Sequence, residues 1–224
     1  MTHHDDGPVT CPVCGFEGRI AKTALTTSGD SRQMGTYHVY ICSACGNGFT
    51  SPSVPAELYR LPPDISRHRL PRAAKSILNY FMRRRVSCLR HDGAWEAGSK
   101  LLDIGGGSCA FANRAAHEGY EVTVIEPNEK NAVFADTQNH VKFVAQHFTP
   151  ALLDQGFLQA GAFDIVTMWH SLEHFSRPSE ALQLVYRLLK PGGLVLISVP
   201  NIQSYQARFG KNYWAYLDVP HHFP

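Results

Sequence analysis

Between residues 100 and 199, five short apolar runs recur with room for a helix or a turn between each pair: 100–104, 121–126, 141–145, 163–168 and 194–199. The clearest intervening helix is 177–190, where Leu182, Val185, Tyr186 and Leu189 fall at i, i+3, i+4 and i+7. Pro178 suits its first turn, and Lys190-Pro191-Gly192-Gly193 ends it. Strands alternating with helices fold as βαβ units, so the expected class is α/β with a doubly wound, mostly parallel sheet. Sheets of this kind bind ligands beyond the carboxyl ends of their strands, which directs attention to the residues after each run.

After the first run stands Asp103-Ile104-Gly105-Gly106-Gly107-Ser108-Cys109, followed by a helix through about His117 that Gly119 closes. Glycines there allow a tight turn and bring a ligand close to backbone amides at a helix N-terminus. The second run ends in Glu126, nineteen residues after Gly107. A carboxylate at that place accepts hydrogen bonds from both hydroxyls of a ribose, so turn and acid together imply a nucleoside-bearing cofactor. Gly105-x-Gly107-x-x-Ala110 fits the dinucleotide pattern loosely. Against a pyrophosphate, Asp103 ends the first run and carries a charge that suits a cationic sulfonium with its amino-acid ammonium.

The N-terminal fifty residues obey a different rule. Cys11-Pro12-Val13-Cys14-Gly15 and Cys42-Ser43-Ala44-Cys45-Gly46 are two C-x-x-C-G turns, their cysteine pairs separated by 27 residues. Two such turns offer four thiolates in tetrahedral array, which suits zinc and resembles a zinc ribbon. A rubredoxin-type iron site and a pair of redox dithiols are the alternatives this spacing leaves open. Four thiolates leave no position for a water, so a zinc held by Cys11, Cys14, Cys42 and Cys45 is structural. So small a module buries little apolar surface, and the metal supplies its folding energy. The strand-like stretch 36–41 leads into the second turn.

Residues 51–63 hold four prolines and read as a linker, and a helix is expected over 71–91. Residues 60–90 carry nine Lys/Arg against one acid, Asp64, for a net +8, leaving −6 on the rest of the chain. Arg83-Arg84-Arg85 is the densest point. A basic helix suits RNA, an anionic membrane surface or a phosphorylated substrate. The reading preferred here is a solvated face lying against the acidic main domain, because no aromatics interleave with the arginines as in a stacking platform. At 44% apolar residues, the 224-residue chain is not disordered, and no apolar run is long enough to cross a bilayer. The N-terminus lacks the basic and apolar regions of a secretory signal, and Cys88 and Cys109 stand outside the two pairs, so a cytoplasmic location is expected. The expected division is 1–50 zinc ribbon, 51–98 linker and basic helix, and 99–224 cofactor-binding domain.

L-L-D-I-G-G-G-S, V-I-E-P, F-D-I-V-T-M-W-H-S-L-E-H and L-L-K-P-G-G-L-V-L-I-S-V-P-N follow one another in the order seen in class I S-adenosylmethionine-dependent methyltransferases. Over residues 99 to about 222 the chain resembles the bacterial branch acting on small molecules, some members of which carry an N-terminal zinc ribbon. The resemblance implies S-adenosylmethionine as cofactor. Asp103, Gly105 and Gly107 would border its methionine portion, Glu126 would hold the ribose, and Pro127 and Gln146 would flank the adenine. Met168, Trp169 and His170 would close over the sulfonium, with Trp169 or Phe175 adding cation–π attraction; packing beneath the next helix is the alternative for Trp169. Two departures stand out. The last glycine of the family's D-x-G-x-G-x-G is Cys109 here, and a left-handed backbone at that position costs about 1–2 kcal/mol. Only 25 residues follow Val199, where the family adds two antiparallel strands, so the chain is expected to be truncated, with its fifth strand an exposed edge.

Transfer to a hydroxyl needs proton removal, and His170 and His174 are the catalytic candidates because both follow the fourth run. Four apart, with Glu173 between them, they are placed to share a helical face; the Glu lies in the wrong position for the H-E-x-x-H of a zincin. Packing of His174 against a loop is the alternative for that residue. His221 and His222 are further acceptor-side candidates. The expected activity is methyl transfer to a small-molecule acceptor, a hydroxyl of a sugar or secondary metabolite. An RNA methyltransferase gripping RNA through ribbon and basic helix, and a non-catalytic domain binding cofactor or partner, are the alternatives.

Overall fold

The computed structural model describes residues 9–18, 21–24, 38–51, 71–90 and 98–210. Most of the linker expected at 51–63, the start of the 36–41 strand, and His221 and His222 lie outside the described residues. The chain forms two compact units, each discontinuous in sequence and each crossing the divisions expected from sequence.

The first unit comprises 1–60 with Leu172–Glu180 and the residues from Val199 onward. It holds β1 (Val9–Thr10) paired antiparallel with β2 (Glu17–Gly18), and an antiparallel meander of β3 (Ala21–Ala24), β4 (His38–Ile41) and β5 (Gly48–Ser51). Its core is small: Cys11, Val39, Tyr40, Cys42 and Phe49, with Tyr40 stacked on Phe49. Each cysteine pair sits in a turn at the end of a strand, closed by Gly15 or Gly46 at positive φ. The amide of Gly15 donates to the Cys11 carbonyl and that of Gly46 to the Cys42 carbonyl, so the two turns repeat one geometry.

The second unit, Leu61–Ser171 with Ala181–Ser198, contains a five-stranded parallel sheet. Its strands are β6 (Lys100–Ile104), β7 (Glu121–Ile125), β8 (Lys142–Val144), β9 (Phe163–Trp169) and β10 (Leu189–Ser198), in the spatial order β10-β9-β6-β7-β8. The doubly wound expectation holds, and the strand order reverses between β6 and β9, where such sheets form their ligand crevice. Leu101, Leu102, Ile104, Ile165 and Val166 are almost wholly buried, which is why these strands read as continuous apolar runs rather than alternating ones. The fifth run extends back to Leu189 because Leu189 pairs with Phe163 ahead of a register break, after which Leu194 pairs with Ile165. In that break Gly193 has no room for a side chain: a Cβ there would lie 2.9 Å from the Lys190 carbonyl. Val195 and Ile197 are exposed along β10, which is an edge of the described sheet.

Helices α1 (Arg72–Leu89), α2 (Ala110–His117) and α4 (Pro178–Leu188), with the single turn α3 (Ala151–Asp154), fall where the periodicity puts them or between the strands. Met82, Val86 and Leu89 of α1 share one apolar cluster with Phe111, Ala112 and Ala115 of α2. The cationic residues of α1 divide. Arg90, which caps the helix, pairs with Glu118, which Arg114 also engages, as expected for a face lying against acidic neighbours. Arg85 turns inward, its guanidinium 4.8 Å from the centre of the Trp169 ring. Arg83 and Arg84 stay exposed, and so do Tyr80 and Phe81. One helical turn separates Tyr80 from Arg84, so on a helix they share a face.

Candidate cofactor and metal sites

The turn after β6 is fixed by steric fit. Gly105 (φ +76) lies so close to Ser171 that a Cβ would sit 2.5 Å from the serine Cβ, and one on Gly106 would sit 2.4 Å from Val124 Cγ1. Ser171 Oγ donates to the Ile104 carbonyl at 2.7 Å, and the Gly105 amide donates to the Ile125 carbonyl at 2.8 Å. The end of β9 and the end of β7 thereby grip the turn from two sides. Gly107 (φ +50) differs: no atom lies within 4 Å of where its Cβ would be. The turn is tight beneath and open at Gly107.

Glu126, buried just beyond β7, faces that opening. Its Oε2 accepts from the Gly107 amide at 2.9 Å and its Oε1 from the Asn128 amide at 3.0 Å. A carboxylate has about four lone-pair positions, so each oxygen keeps one for a ligand hydroxyl while its orientation is set by backbone. Asp103 is placed otherwise. It is buried beneath the turn and accepts from the Thr167 hydroxyl at 2.7 Å. Burial pushes its carboxyl up to about 7, raised further by Glu126 and opposed by the Thr167 hydroxyl and the charge of Arg85. Its negative charge is therefore conditional near neutrality. Pro127 is half-buried and Gln146 exposed, each just beyond its strand.

At the end of β9 the expected residues separate. Met168 is fully buried in the sheet, so only its backbone can face a ligand. Trp169 meets Phe111 edge-on, with ring centres 5.3 Å apart, while Arg85 covers its face. Its ring thus already holds a cation, and its Nε1 is shut from solvent with no acceptor among the described residues. His170 adopts φ +54, and its amide donates to the Ser198 carbonyl at 2.9 Å, tying β9 to β10. The helical face expected for His170 and His174 does not form: the left-handed backbone at His170 and the clamp at Ser171 intervene. His174 instead lies in a 3₁₀ turn, Leu172–His174, which belongs to the first unit. Sequence reasoning missed Arg85, Thr167 and Ser171. A polar residue inside an apolar run is a signal for Thr167; Arg85 has none beyond its place in a basic cluster.

Cys109 is buried at φ +55, as the N-terminal cap of α2. The last position of the turn therefore does require a left-handed backbone, and the cysteine bears that cost.

A tight turn, an open glycine and a backbone-oriented carboxylate at the reversal point suit a ribose-bearing cofactor. The four module cysteines meet an equally direct test. Their sulfurs all lie within 4.8 Å of one another, with Cys11–Cys45 at 3.7 Å and Cys14–Cys42 at 3.6 Å. Zinc–sulfur bonds of about 2.3 Å in a tetrahedron place sulfurs about 3.8 Å apart, so the cluster fits one ion. The thiols influence one another as a shared charge site does. Burial resists ionisation of Cys42, but the amides of Cys45 and Ala44 outweigh it and bring the thiol down to about 7. The Asn47 amide favours the thiolate of Cys45, yet burial and the neighbouring sulfurs push that thiol up to about 12.

Comparison with known proteins agrees with this geometry. A family model described as a methyltransferase domain matches residues 67–224. A ubiquinone biosynthesis O-methyltransferase of Caulobacter vibrioides is 36% identical over 114 residues, covering 49% of this chain and 45% of that protein. Its counterpart in Pseudomonas aeruginosa is 34% identical over 106 residues, covering 47% and 46%. The chain thus spans less than half the length of these relatives. A solved S-adenosylmethionine-dependent methyltransferase from Archaeoglobus fulgidus aligns with a TM-score of 0.50 at 25% identity, covering 67% of this chain and 62% of that one. Among the described residues, no helix is long and apolar enough to cross a membrane.

Proposed function

The chain belongs to the methyltransferase-domain family, and we propose that it transfers a methyl group from S-adenosylmethionine to a hydroxyl of a small-molecule acceptor, a sugar or secondary metabolite. The observation that carries this reading is the pairing of Gly107 and Glu126 through the amide–carboxylate bond of 2.9 Å, at the point where the strand order reverses. The names of the relatives, O-methyltransferases of ubiquinone biosynthesis, support oxygen as the methylated atom.

Bound S-adenosylmethionine supplies a methyl already activated by its sulfonium. Glu126 holds the ribose hydroxyls, Asp103, Gly105 and Gly107 border the methionine portion, and Pro127 and Gln146 flank the adenine. The backbone of Met168, with Trp169 and His170, closes the methyl end. Alignment is the main contribution of these groups, worth up to about 7–11 kcal/mol in well-oriented reactions. His170, held at the strand end by its amide bond to Ser198, would take the proton of the acceptor hydroxyl. His174 has a structural role in its own turn. Cys11, Cys14, Cys42 and Cys45 hold one structural zinc. No disulfide joins the described cysteines, which suits a reducing cytoplasm.

Calorimetry with S-adenosylhomocysteine tests the reading on the zinc-replete chain. Glu126→Gln keeps the shape but loses charge-assisted bonds worth about 1.5–3 kcal/mol, so affinity is expected to fall roughly 10- to 100-fold. Equal binding by both proteins would refute the ribose assignment. Radiolabel transfer to a metabolite extract then identifies the acceptor class.

A further inference from the structure

We infer that metal held by Cys11, Cys14, Cys42 and Cys45 sets the order of two segments distant from it in sequence, 172–180 and 199–210. The coupling stands on the first unit alone.

Three observations within that unit carry it. Its members are not the N-terminal residues by themselves but those residues together with Leu172–Glu180 and the residues from Val199. Ile202 and Ala207, from the segment after β10, pack on the cluster of Cys11, Val39, Tyr40, Cys42 and Phe49. Ser179, from the segment after β9, donates its hydroxyl to the carbonyl of Val13 at 3.2 Å, inside the first cysteine turn.

The chemistry of the ligand set completes the link. Cys11 and Cys42 are buried and belong to the apolar cluster, whereas Cys14 and Cys45 are exposed. Two of the four sulfurs are thus shared between the metal site and the packing surface for Ile202 and Ala207. The five buried apolar residues among those described supply too little contact to hold this surface in place, so the ion fixes it. Residues 172–180 and 199–210 follow β9 and β10 in the chain. The coupling is confined to these two segments, while the turn at 103–109 and Glu126 belong to the other unit.

Hydrogen exchange on the full chain, with and without zinc removed by a chelator, tests the coupling. Metal loss is expected to speed exchange at least about tenfold in 172–180 and 199–210 and to leave β6, β7 and the turn between β6 and α2 protected. Affinity for S-adenosylhomocysteine is expected to stay within about twofold of the zinc-loaded protein. Because coupling is reciprocal, Ile202→Asp in the intact chain is expected to weaken zinc binding about tenfold in competition with a chromogenic chelator. Unchanged protection in both segments, unchanged zinc affinity in Ile202→Asp, or loss of protection across the whole sheet would each overturn the inference. A zinc-loaded chain that binds no S-adenosylhomocysteine would sink the proposed function instead, and the exchange result would still decide the coupling.

Discussion

The turn after β6 and the turns that carry the cysteine pairs are all short, glycine-marked loops at strand ends, yet different forces hold them. Gly105 and Gly106 are jammed against Ser171 and Val124, above a large apolar cluster. Gly15 and Gly46 have positive φ but nothing within 4 Å of a Cβ. In the first case glycine is needed for space, in the second only for backbone freedom. A sheet that buries whole strands can fix a ligand turn by packing. A module with five buried residues recruits a metal, and its order extends only as far as the residues packed on that metal's ligands.

The comparison breaks most readily at the glycines. Gly105→Ala combines a left-handed backbone with a clash against Ser171, and is expected to lower unfolding stability by about 3 kcal/mol. Gly15→Ala in the zinc-loaded protein meets only the backbone cost, about 1 kcal/mol. Urea denaturation followed by tryptophan fluorescence measures the first, and chelator competition the second. Similar small losses at both sites would mean that packing does not distinguish the two turns.

Electrostatics sharpens the contrast. Asp103 has its carboxyl raised from 3.8 to about 7 by burial, so between those values the folded chain binds more protons than the unfolded one. Stability therefore falls as pH rises from about 4 to 7, at up to about 1.4 kcal/mol per pH unit. Asp103→Asn, which keeps an acceptor for Thr167, is expected to flatten that slope by a total of up to about 4 kcal/mol. Since Arg85 opposes the shift, Arg85→Gln is expected to move the upper end of the window to higher pH. Stability curves of wild type and Asp103→Asn that run parallel across this range would show that Asp103 is ionised throughout.

What was legible in the sequence follows the same division. The five strands, α1, α2, α4 and the placing of Gly107 opposite Glu126 were readable because apolar periodicity and turn glycines are local signals. Both cysteine turns were readable because metal ligation imposes spacing. The burial of Met168 was not, since strands covered on both faces lose the alternation that tells inside from outside. Nor was the inward turn of Arg85 onto Trp169, because a cation in a basic run looks the same whether its partner is solvent or an aromatic ring 84 residues away. The recruitment of Ile202, Ala207 and Ser179 by the cysteine module depends on contacts more than 150 residues apart, which no local pattern records.

Cys109 offers the smallest and most discriminating change, because it joins both kinds of constraint in one residue. Its φ of +55 is a conformation that favours glycine, and its side chain is fully buried under α2. Cys109→Gly removes a backbone cost of about 1–2 kcal/mol. The same change forfeits burial of a small apolar side chain, worth about 1 kcal/mol, and adds the conformational entropy that glycine loses on folding. These terms oppose one another, so the melting temperature is expected to move by no more than about 3 °C, with cofactor affinity unchanged because the side chain is wholly buried. A large loss of stability would mean that packing dominates even at the last position of the turn. A large gain would mean that the left-handed backbone is held there against strong resistance, by the bonds that fix the rest of the loop.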